Sequence, residues 1–176
     1  MIAGLGHTGR VDVLATLDVG ESAAVLRRAE AGDLPAIVGL LAADQLGAAR
    51  DGIRDDADLR AYRRAFAEID RDPAHVLVVA QAADRVVATM QLSFLPGLAR
   101  RGALRAQVEA VRVDQAYRGG GLGQAMLTWA ISEARQRGCA LIQLTTDKSR
   151  TGAHRFYERL GFVASHEGMK LILDRE

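Results

Sequence analysis

The sequence predicts an α+β fold in which about four helices flank one mixed, mostly antiparallel sheet of six to seven strands. The 176 residues suffice for about one domain, which at this length folds without disulfides or metals. Hydrophobic residues make up 49% and charged residues 26%, which excludes a disordered or collagen-like chain. The hydrophobic patterns follow the order strand, two helices, three antiparallel strands, helix, strand, helix and two strands.

The first part of the chain contributes one strand and two helices. Residues 1–20 are glycine-rich and weakly patterned, and they predict an N-terminal extension or an added edge segment outside a domain over 21–176. A short strand is expected over 24–27. A helix follows with Pro35 in its first turn, where the missing N–H costs nothing. Apolar residues three or four positions apart predict a second helix over 56–70.

Strand patterns dominate the rest of the chain. The runs over 75–81 and 86–92 flank a tight turn and predict a hairpin. A loop over 96–103 carries Arg100 and Arg101. The remaining predicted elements are a strand over 105–113, a helix over 121–137, a strand over 140–145, a helix over 151–160 and strands over 162–165 and 169–173.

Charge and cysteine content exclude several classes of protein. Lys plus Arg is 23 and Asp plus Glu is 22, so the net charge of +1 gives no global case for a nucleic-acid or membrane partner. Cys139 stands alone, which favours a reducing compartment, and no apolar stretch approaches the ~18 residues of a membrane span. We therefore expect a cytoplasmic protein. The histidines show no metal-ligand spacing, so we expect no metal site.

A glycine-rich fingerprint near the N-terminus is a false lead. Residues 4–9 fit G-x-G-x-x-G, but that motif binds a dinucleotide only when a strand precedes it and a helix follows. Only three residues precede it here, and the next residues alternate like a strand. A glycine-rich tail is the better interpretation.

The strongest motif is a strand, a glycine-rich turn and an amphipathic helix over 108–124. Backbone N–H groups at such a turn and at the helix N-terminus form an anion site, and glycines let a phosphate approach the main chain. Arg118 adds a positive charge beside the turn. Because the Gly-Lys-Ser/Thr of nucleoside-triphosphate loops is missing, the turn favours a pyrophosphate. A connection without a ligand is the alternative.

A second candidate is the short helix over 153–162, which ends at Gly161, a residue suited to the position after a helix. Phe156 and Leu160 are one turn apart and are expected to face the core. Tyr157 is the next residue after Phe156, so its side chain leaves the helix on a different side and can present its phenol, a proton donor, to a cleft. A packing tyrosine on the helix surface is the alternative.

Together these two segments resemble the GNAT superfamily of acyl-CoA N-acyltransferases, over about residues 23–173. Arg118, Gly121 and Gly123 match its Arg/Gln-x-x-Gly-x-Gly/Ala motif, and Phe156-Tyr157-x-x-x-Gly161-Phe162 resembles its second signature. The resemblance implies a single-domain GNAT fold with a splayed central parallel strand pair, and acetyl-CoA as co-substrate. It assigns the pantetheine arm to the main chain of Val111, Arg112 and Val113, and the pyrophosphate to the amides of Arg118, Gly119, Gly120, Gly121, Leu122, Gly123 and Gln124.

The resemblance also implies direct transfer of the acetyl group to an amine, without an acyl-enzyme. Glu109 lies on the strand where many relatives carry an acid that takes the proton of the amine. A strand amide near Val111 would stabilise the oxyanion. Tyr157 matches the acid that protonates the leaving thiolate. For Glu109 the alternative is a structural ion pair with Arg112 or Arg105.

Several residues bear on the acceptor. Arg150 replaces an Asn that relatives often carry, so the pantetheine contact at that position is in doubt. The stretch 145–166 is similar to aminoalkylphosphonate N-acetyltransferases. In this fold Arg100, Arg101 and Arg105 border the acceptor side of the cleft, which favours an amine that also bears an anionic group. A solvated arginine-rich loop is the alternative.

The leading hypothesis is therefore an N-acetyltransferase that acts on a primary amine of a small molecule. The alternatives are a non-catalytic acetyl-CoA-binding regulatory module and a protein or peptide N-acetyltransferase. Retention of both Tyr157 and Glu109 favours catalysis. Relatives are often dimers, so the resemblance also implies a homodimer.

Overall fold

The computed structural model describes residues 12–19, 22–43 and 47–173, and the fingerprint over 4–9 lies outside them. The strands are β1 (Val13–Val19), β2 (Ser22–Arg28), β3 (His75–Ala82), β4 (Arg85–Leu95), β5 (Arg105–Val113) and β6 (Leu141–Leu144). The helices are α1 (Leu34–Ala42), α2 (Asp56–Arg71), the single turn α3 (Ala99–Gly102), α4 (Leu122–Gln136) and α5 (Thr151–Arg159). Within these ranges no helix is long and apolar enough to cross a membrane.

The six strands form one mixed sheet in the order β1-β2-β3-β4-β5-β6. Neighbours from β1 to β5 are antiparallel, whereas β5 and β6 are parallel. A parallel pair needs a crossover, and α4 provides it between β5 and β6. The predicted α+β class and mixed, mostly antiparallel sheet are confirmed.

Helices cover both faces of the sheet. On one face Met90 and Leu92 of β4 pack in the same fully buried cluster as Met126 and Leu127 of α4. On the other face Val79 packs with residues of α1 and α2. Side chains alternate between the faces along a strand, so each position of β5 is committed to one side.

Two regions differ from the simplest interpretation of the sequence. The described part of the segment expected to be an extension, 12–19, includes β1, which pairs with β2 at the sheet edge. The loop expected over 96–103 contains α3, in which Arg100 and Arg101 adopt left-handed backbone conformations with φ of 56° and 61°. No sequence signal marks these conformations, because arginine rarely adopts them.

The strands predicted over 162–165 and 169–173 are wrong. Both segments lack strand structure, and Met169 and Leu171 are 96% and 84% exposed. Their alternating pattern is that of a strand, but a strand forms only against a partner edge, which sequence pattern does not reveal. Consequently the parallel pair β5–β6 lies at the edge of the described sheet rather than at its centre as predicted.

A largely buried ion pair joins β2 to the start of α1. The Arg27 guanidinium donates two hydrogen bonds to the Asp33 carboxylate, at 2.7 and 2.8 Å, and a third to Gln81 Oε1. Burial raises the pKa of Asp33, but the hydrogen bonds from Arg27 and from the Glu30 N–H outweigh it, so the pKa is lowered.

Asp33→Asn should lower the free energy of unfolding by about 3 kcal/mol at neutral pH, because it leaves the buried guanidinium without its counter-charge. Urea unfolding measures this loss. The pKa of Asp33 is lower in the folded than in the unfolded state. Its contribution to the free energy of unfolding is therefore complete above pH ~4 and is lost as the pH falls through the pKa of the folded state. Glu68→Gln, which removes the exposed partner of Arg71, is the control and should leave the midpoint nearly unchanged. Equal stabilities of the two variants would contradict the prediction.

Candidate active site

The glycine turn between β5 and α4 presents main-chain N–H groups. Gly119 and Gly121 have φ of 82° and 92°, a left-handed conformation that favours glycine. Gly121 is the N-cap of α4 and contributes no side-chain cap. The first N–H groups of α4 therefore lack an intrahelical acceptor and carry the positive end of the helix dipole. The geometry suits a phosphate.

Arg118 is fixed beside this turn. Its Nε donates a 3.0 Å hydrogen bond to the Val113 carbonyl at the end of β5, while the side chain as a whole is exposed. This bond holds the guanidinium next to the amides of the turn. The predicted pyrophosphate residues 118–124 therefore form one contiguous surface that fits an anionic group.

The strand before the turn changes course at a bulge. Gln91 pairs with Glu109 and Thr89 with Arg112, so one residue of β4 faces two of β5. Ala110 has a φ of 53°, which supplies the extra residue and reverses the alternation of the strand. No feature of the sequence predicts a left-handed alanine here.

Beyond this bulge β5 separates from β6. The parallel ladder runs from Arg105–Leu141 to Val108–Leu144 and then ends, although β5 continues to Val113. Of the described strands only β4 flanks residues 111–113, with Arg112 paired to Thr89 and Val113 to Ala88.

The Val111 carbonyl accepts a hydrogen bond from Arg112 Nη1 and the Val113 carbonyl accepts one from Arg118 Nε. No described strand occupies the other side of the stretch 111–113, which leaves room for an extended amide-bearing chain such as a pantetheine arm.

Helix α5 packs over this opening. A Cβ added to Gly123 would lie 3.6 Å from both the Phe156 ring and Val113, an ordinary van der Waals distance, so these residues of α5 and β5 lie against the first turn of α4. The neighbouring Tyr157 ring packs edge-on against Phe156 and Phe162, with centroids 5.2 and 5.8 Å away. This packing fixes the phenol beside the end of β5.

The environment keeps Tyr157 protonated. Burial raises the pKa of its phenol, and the nearby guanidinium groups of Arg150 and Arg112 oppose that rise without cancelling it. The net shift is upward from about 10. Tyr157 is therefore protonated throughout the physiological pH range, with positive charge from Arg150, the N-cap of α5, and from Arg112 of β5 acting on its phenol.

Glu109 lies on the face of β5 opposite the core residue Val108 and is exposed. It pairs across the sheet with Gln91. Arg112, whose positive charge acts to lower the pKa of Tyr157, lies three residues after Glu109 on β5, or ~10 Å of extended strand. Glu109 stands on β5 just before the bulge, whereas Tyr157 lies on α5 and packs against the cluster on the Val108 side of the sheet.

The arginine-bearing turn α3 lies at the far end of β5. Eight residue steps separate Arg105 from Val113, or ~27 Å, so Arg100 and Arg101 are not close to the glycine turn. Arg105 is four residues before Glu109 on the same strand, ~13 Å away. The sequence-predicted residues therefore lie in three places along β5: the glycine turn, the stretch around Glu109, and the arginine-bearing end near α3.

No group of His, Cys, Asp and Glu in the described part of the chain could hold a metal ion. His154 is hydrogen-bonded through Nε2 to the Asp147 carbonyl at 3.0 Å, and His166 through Nδ1 to the Ser165 hydroxyl at 2.8 Å. Each of these two histidine rings therefore has a local hydrogen-bond partner. The candidate site presents carboxylate, phenol and main-chain groups.

Gly121→Val should raise the dissociation constant of acetyl-CoA at least tenfold, because the side chain strains the left-handed N-cap and crowds the amides of the turn. Calorimetry measures the affinity. Gly138→Val is the matched control, since Gly138 has a φ of 74° and equally open surroundings but lies after the opposite end of α4. Equal affinities of the two variants would exclude this turn as the pyrophosphate site.

Comparisons with known proteins agree with this geometry. The model of the Acetyltransferase (GNAT) family matches residues 42–162, more than half of the chain. Aminoalkylphosphonate N-acetyltransferase of Salmonella typhimurium is 32% identical over 114 residues, 65% of this chain and 73% of that protein. Glucosamine 6-phosphate N-acetyltransferase of Trypanosoma brucei brucei is 34% identical over 93 residues, 53% of this chain and 61% of that protein.

The fold is also found in solved structures. A protein of Bacillus halodurans described as a transcriptional regulator superposes with a TM-score of 0.81 at 45% identity, covering 85% of this chain and 99% of that one. Enzymes of the matched family use acetyl-CoA as co-substrate. Small-molecule N-acetyltransferase activity is supported at the level of the family. The chain belongs to the GNAT acetyltransferase family and is an acetyl-CoA-dependent acyltransferase.

Proposed function

We propose that this protein transfers the acetyl group of acetyl-CoA directly to the primary amine of a small molecule that also carries a phosphate, phosphonate or carboxylate. The observation that carries the proposal is that the β5–β6 ladder ends at Val108 while β5 continues along β4 to Val113. This open stretch of β5 leads into the glycine turn and is flanked by Glu109 and by Tyr157.

In this reaction Glu109 takes the proton of the acceptor ammonium, directly or through water, and leaves a neutral amine. The amine attacks the thioester carbonyl, whose oxygen accepts a hydrogen bond from the main chain near Val111. The C–N bond forms, the C–S bond breaks, and the departing thiolate takes the phenolic proton of Tyr157. The nitrogen gives up its second proton as the amide forms, and that proton, passed through water, restores the phenol. No group of the protein is acylated, so a lysine, serine or cysteine nucleophile is unnecessary.

Two observations favour an acceptor that carries an anionic group. Two relatives are named for acceptors that combine an amine with a phosphonate or a phosphate. In this chain, Arg105 lies on the strand of Glu109, and Arg100 and Arg101 extend the positive surface beyond it. The long Arg105 side chain spans part of the ~13 Å to Glu109, so an acceptor held between them has its anionic group a few bonds from its amine.

Arg100→Ala combined with Arg101→Ala should raise the KM for an anionic acceptor several-fold, because two guanidinium groups that attract the anion are removed. Steady-state kinetics should show little change in the KM for acetyl-CoA, whose proposed site lies at the other end of β5. Added salt should weaken the wild-type preference for anionic over neutral amines, since exposed charges are screened over ~10 Å at 0.1 M. A preference for polycationic acceptors would contradict the proposal.

A thiol-release assay tests the function as a whole. Acetyl-CoA is supplied with aminoalkylphosphonates, amino sugar phosphates, amino acids, polyamines and peptides, one class at a time. We expect thiol release with a phosphonate- or phosphate-bearing amine and an N-acetylated product by mass spectrometry. Release only with peptides would replace the small-molecule assignment, and binding of acetyl-CoA without release for any class would favour a regulatory module.

A further inference from the structure

A row of polar side chains crosses four strands of the sheet. Ser93 of β4 pairs with His75 of β3 on one side and with Gln107 of β5 on the other, and Gln107 pairs in turn with Gln143 of β6. Residues paired across strands project to the same face of a sheet, so these four side chains form one polar row. Glu109 is two residues beyond Gln107 on β5 and shares its face. The polar row therefore lies beside the proposed base.

The apolar cover from the helices does not extend over the β5–β6 part of this face. The cluster that packs with α1 and α2 includes Leu77 and Val79 of β3, but no described residue of β5 or β6 belongs to it. Gln107 is half-buried and Gln143 is exposed. This end of the polar row is therefore open to a ligand.

Hydrogen bonds divide the polar row into two pairs. His75 Nδ1 lies 2.8 Å from the hydroxyl oxygen of Ser93, a residue that is 5% exposed, so this pair is internal to the sheet. Gln143 Nε2 donates a 2.7 Å hydrogen bond to Gln107 Oε1 in the open part of the row. A Gln side chain carries two N–H donors and an oxygen with two lone pairs. The amide pair therefore keeps donors on Gln107 and an acceptor on Gln143 for a third group.

This combination of donor and acceptor fits a hydroxyl group. A hydroxyl can donate to the Gln143 oxygen and accept from a Gln107 N–H at the same time, whereas an ionised phosphate only accepts and an ammonium only donates. Both amides are uncharged, so they do not compensate the charge of an ion. The amide pair therefore favours a neutral polar group of a ligand over its charged groups.

Gln107 stands midway between the two charged residues that flank the proposed acceptor. Arg105 and Glu109 lie two positions before and after it on the same face, ~7 Å away in each direction along β5. Gln143 is its partner on the neighbouring strand, ~5 Å across the sheet. An acceptor with its anionic group towards Arg105 and its amine at Glu109 passes its connecting carbon atoms over the amide pair.

We propose that Gln107 and Gln143 bind a hydroxyl group that the acceptor carries between its amine and its anionic group, and that they determine specificity for it. The inference rests on the proposed function and narrows the acceptor to a hydroxylated amine that bears a phosphate, phosphonate or carboxylate. A hydroxyl replaces the water on the two amides with equivalent hydrogen bonds, whereas a methylene displaces that water and leaves the amides unpaired.

A matched pair of acceptors tests the contact. 3-Amino-2-hydroxypropylphosphonate and 3-aminopropylphosphonate differ by a single hydroxyl between the amine and the phosphonate. We expect the wild type to favour the hydroxylated amine at least tenfold in kcat/KM, because only that amine satisfies both amides. Gln107→Met combined with Gln143→Met keeps the length of the side chains and removes both amides. It should lower this ratio at least tenfold through a higher KM for the hydroxylated amine, with little change in the KM for acetyl-CoA.

The matched control is Gln136→Met on α4, the helix on the opposite face of the sheet. The Gln136 amide also donates a hydrogen bond to a neighbouring side chain, the Ser132 hydroxyl at 3.3 Å. This variant should keep the wild-type ratio, and circular dichroism should report the same fold for both variants and the wild type.

The possible outcomes separate this inference from the proposed function. Equal kcat/KM values for the two amines in the wild type would overturn the hydroxyl contact and leave the proposed function standing. So would a ratio that survives the double substitution or falls equally in the control. Turnover of neither phosphonate would also overturn the hydroxyl contact, and turnover of peptides or polyamines alone would overturn the proposed function with it.

Discussion

Tyr157→Phe should lower kcat by ~10²–10⁴-fold while the KM for acetyl-CoA changes far less. The hydroxyl is required only as the thiolate leaves, whereas the ring contacts with Phe156 and Phe162 persist in the variant. Steady-state kinetics at saturating concentrations of both substrates measures the effect. Wild-type turnover by the variant would reduce Tyr157 to a packing residue.

The control removes a phenol elsewhere. Tyr62 on α2 accepts a hydrogen bond from the Gly52 N–H and lies outside the candidate site, so Tyr62→Phe should leave kcat near the wild-type value. A loss of kcat in both variants would point to general destabilisation rather than to a lost acid.

The pH profile gives a second measurement of the same role. Because burial raises the pKa of Tyr157 above about 10, the phenol keeps its proton and kcat loses nothing to its ionisation below that pH. A fall of kcat on the alkaline side is expected only above pH ~10 in the wild type, and it should be missing from the residual activity of Tyr157→Phe. A fall of the wild-type kcat near neutral pH that is missing from Tyr157→Phe would contradict the raised pKa of Tyr157.

The conformation of the glycine turn could be predicted because its causes are local. Gly119 and Gly121 take left-handed conformations that few other residues adopt, and both stand between a strand and an amphipathic helix. A short segment therefore carries the turn, the helix N-terminus and Arg118 together. The position of Tyr157 on a helix could also be predicted locally, because it neighbours Phe156 on a short amphipathic helix.

The opening of β5 could not be predicted from residue patterns. It depends on a left-handed Ala110, which alanine does not favour, and on β6 ending at Leu144 while β5 continues. The exposure of 169–173 was missed for a related reason, since alternation specifies a strand face but not the edge on which it pairs. Both features are decided by tertiary partners.

The second large effect is expected at Glu109. Glu109→Gln should lower kcat/KM by ~10²–10⁴-fold for a basic acceptor amine at neutral pH, because nothing then removes the ammonium proton. Gln keeps the size of the side chain and its position on β5 opposite Gln91. Initial rates measured against a series of amines of decreasing basicity separate the base from a structural role.

For amines that are already neutral at the assay pH, the variant should approach the wild type, since proton removal is no longer needed. With basic amines its activity should rise about tenfold per pH unit until the amine itself is neutral, as the fraction of free base does. Arg105→Ala, measured with an amine that carries no anionic group, is the control for the rival interpretation, in which Glu109 only forms an ion pair. An equal loss in both variants, independent of amine basicity, would assign Glu109 to structure and leave the deprotonation to another group.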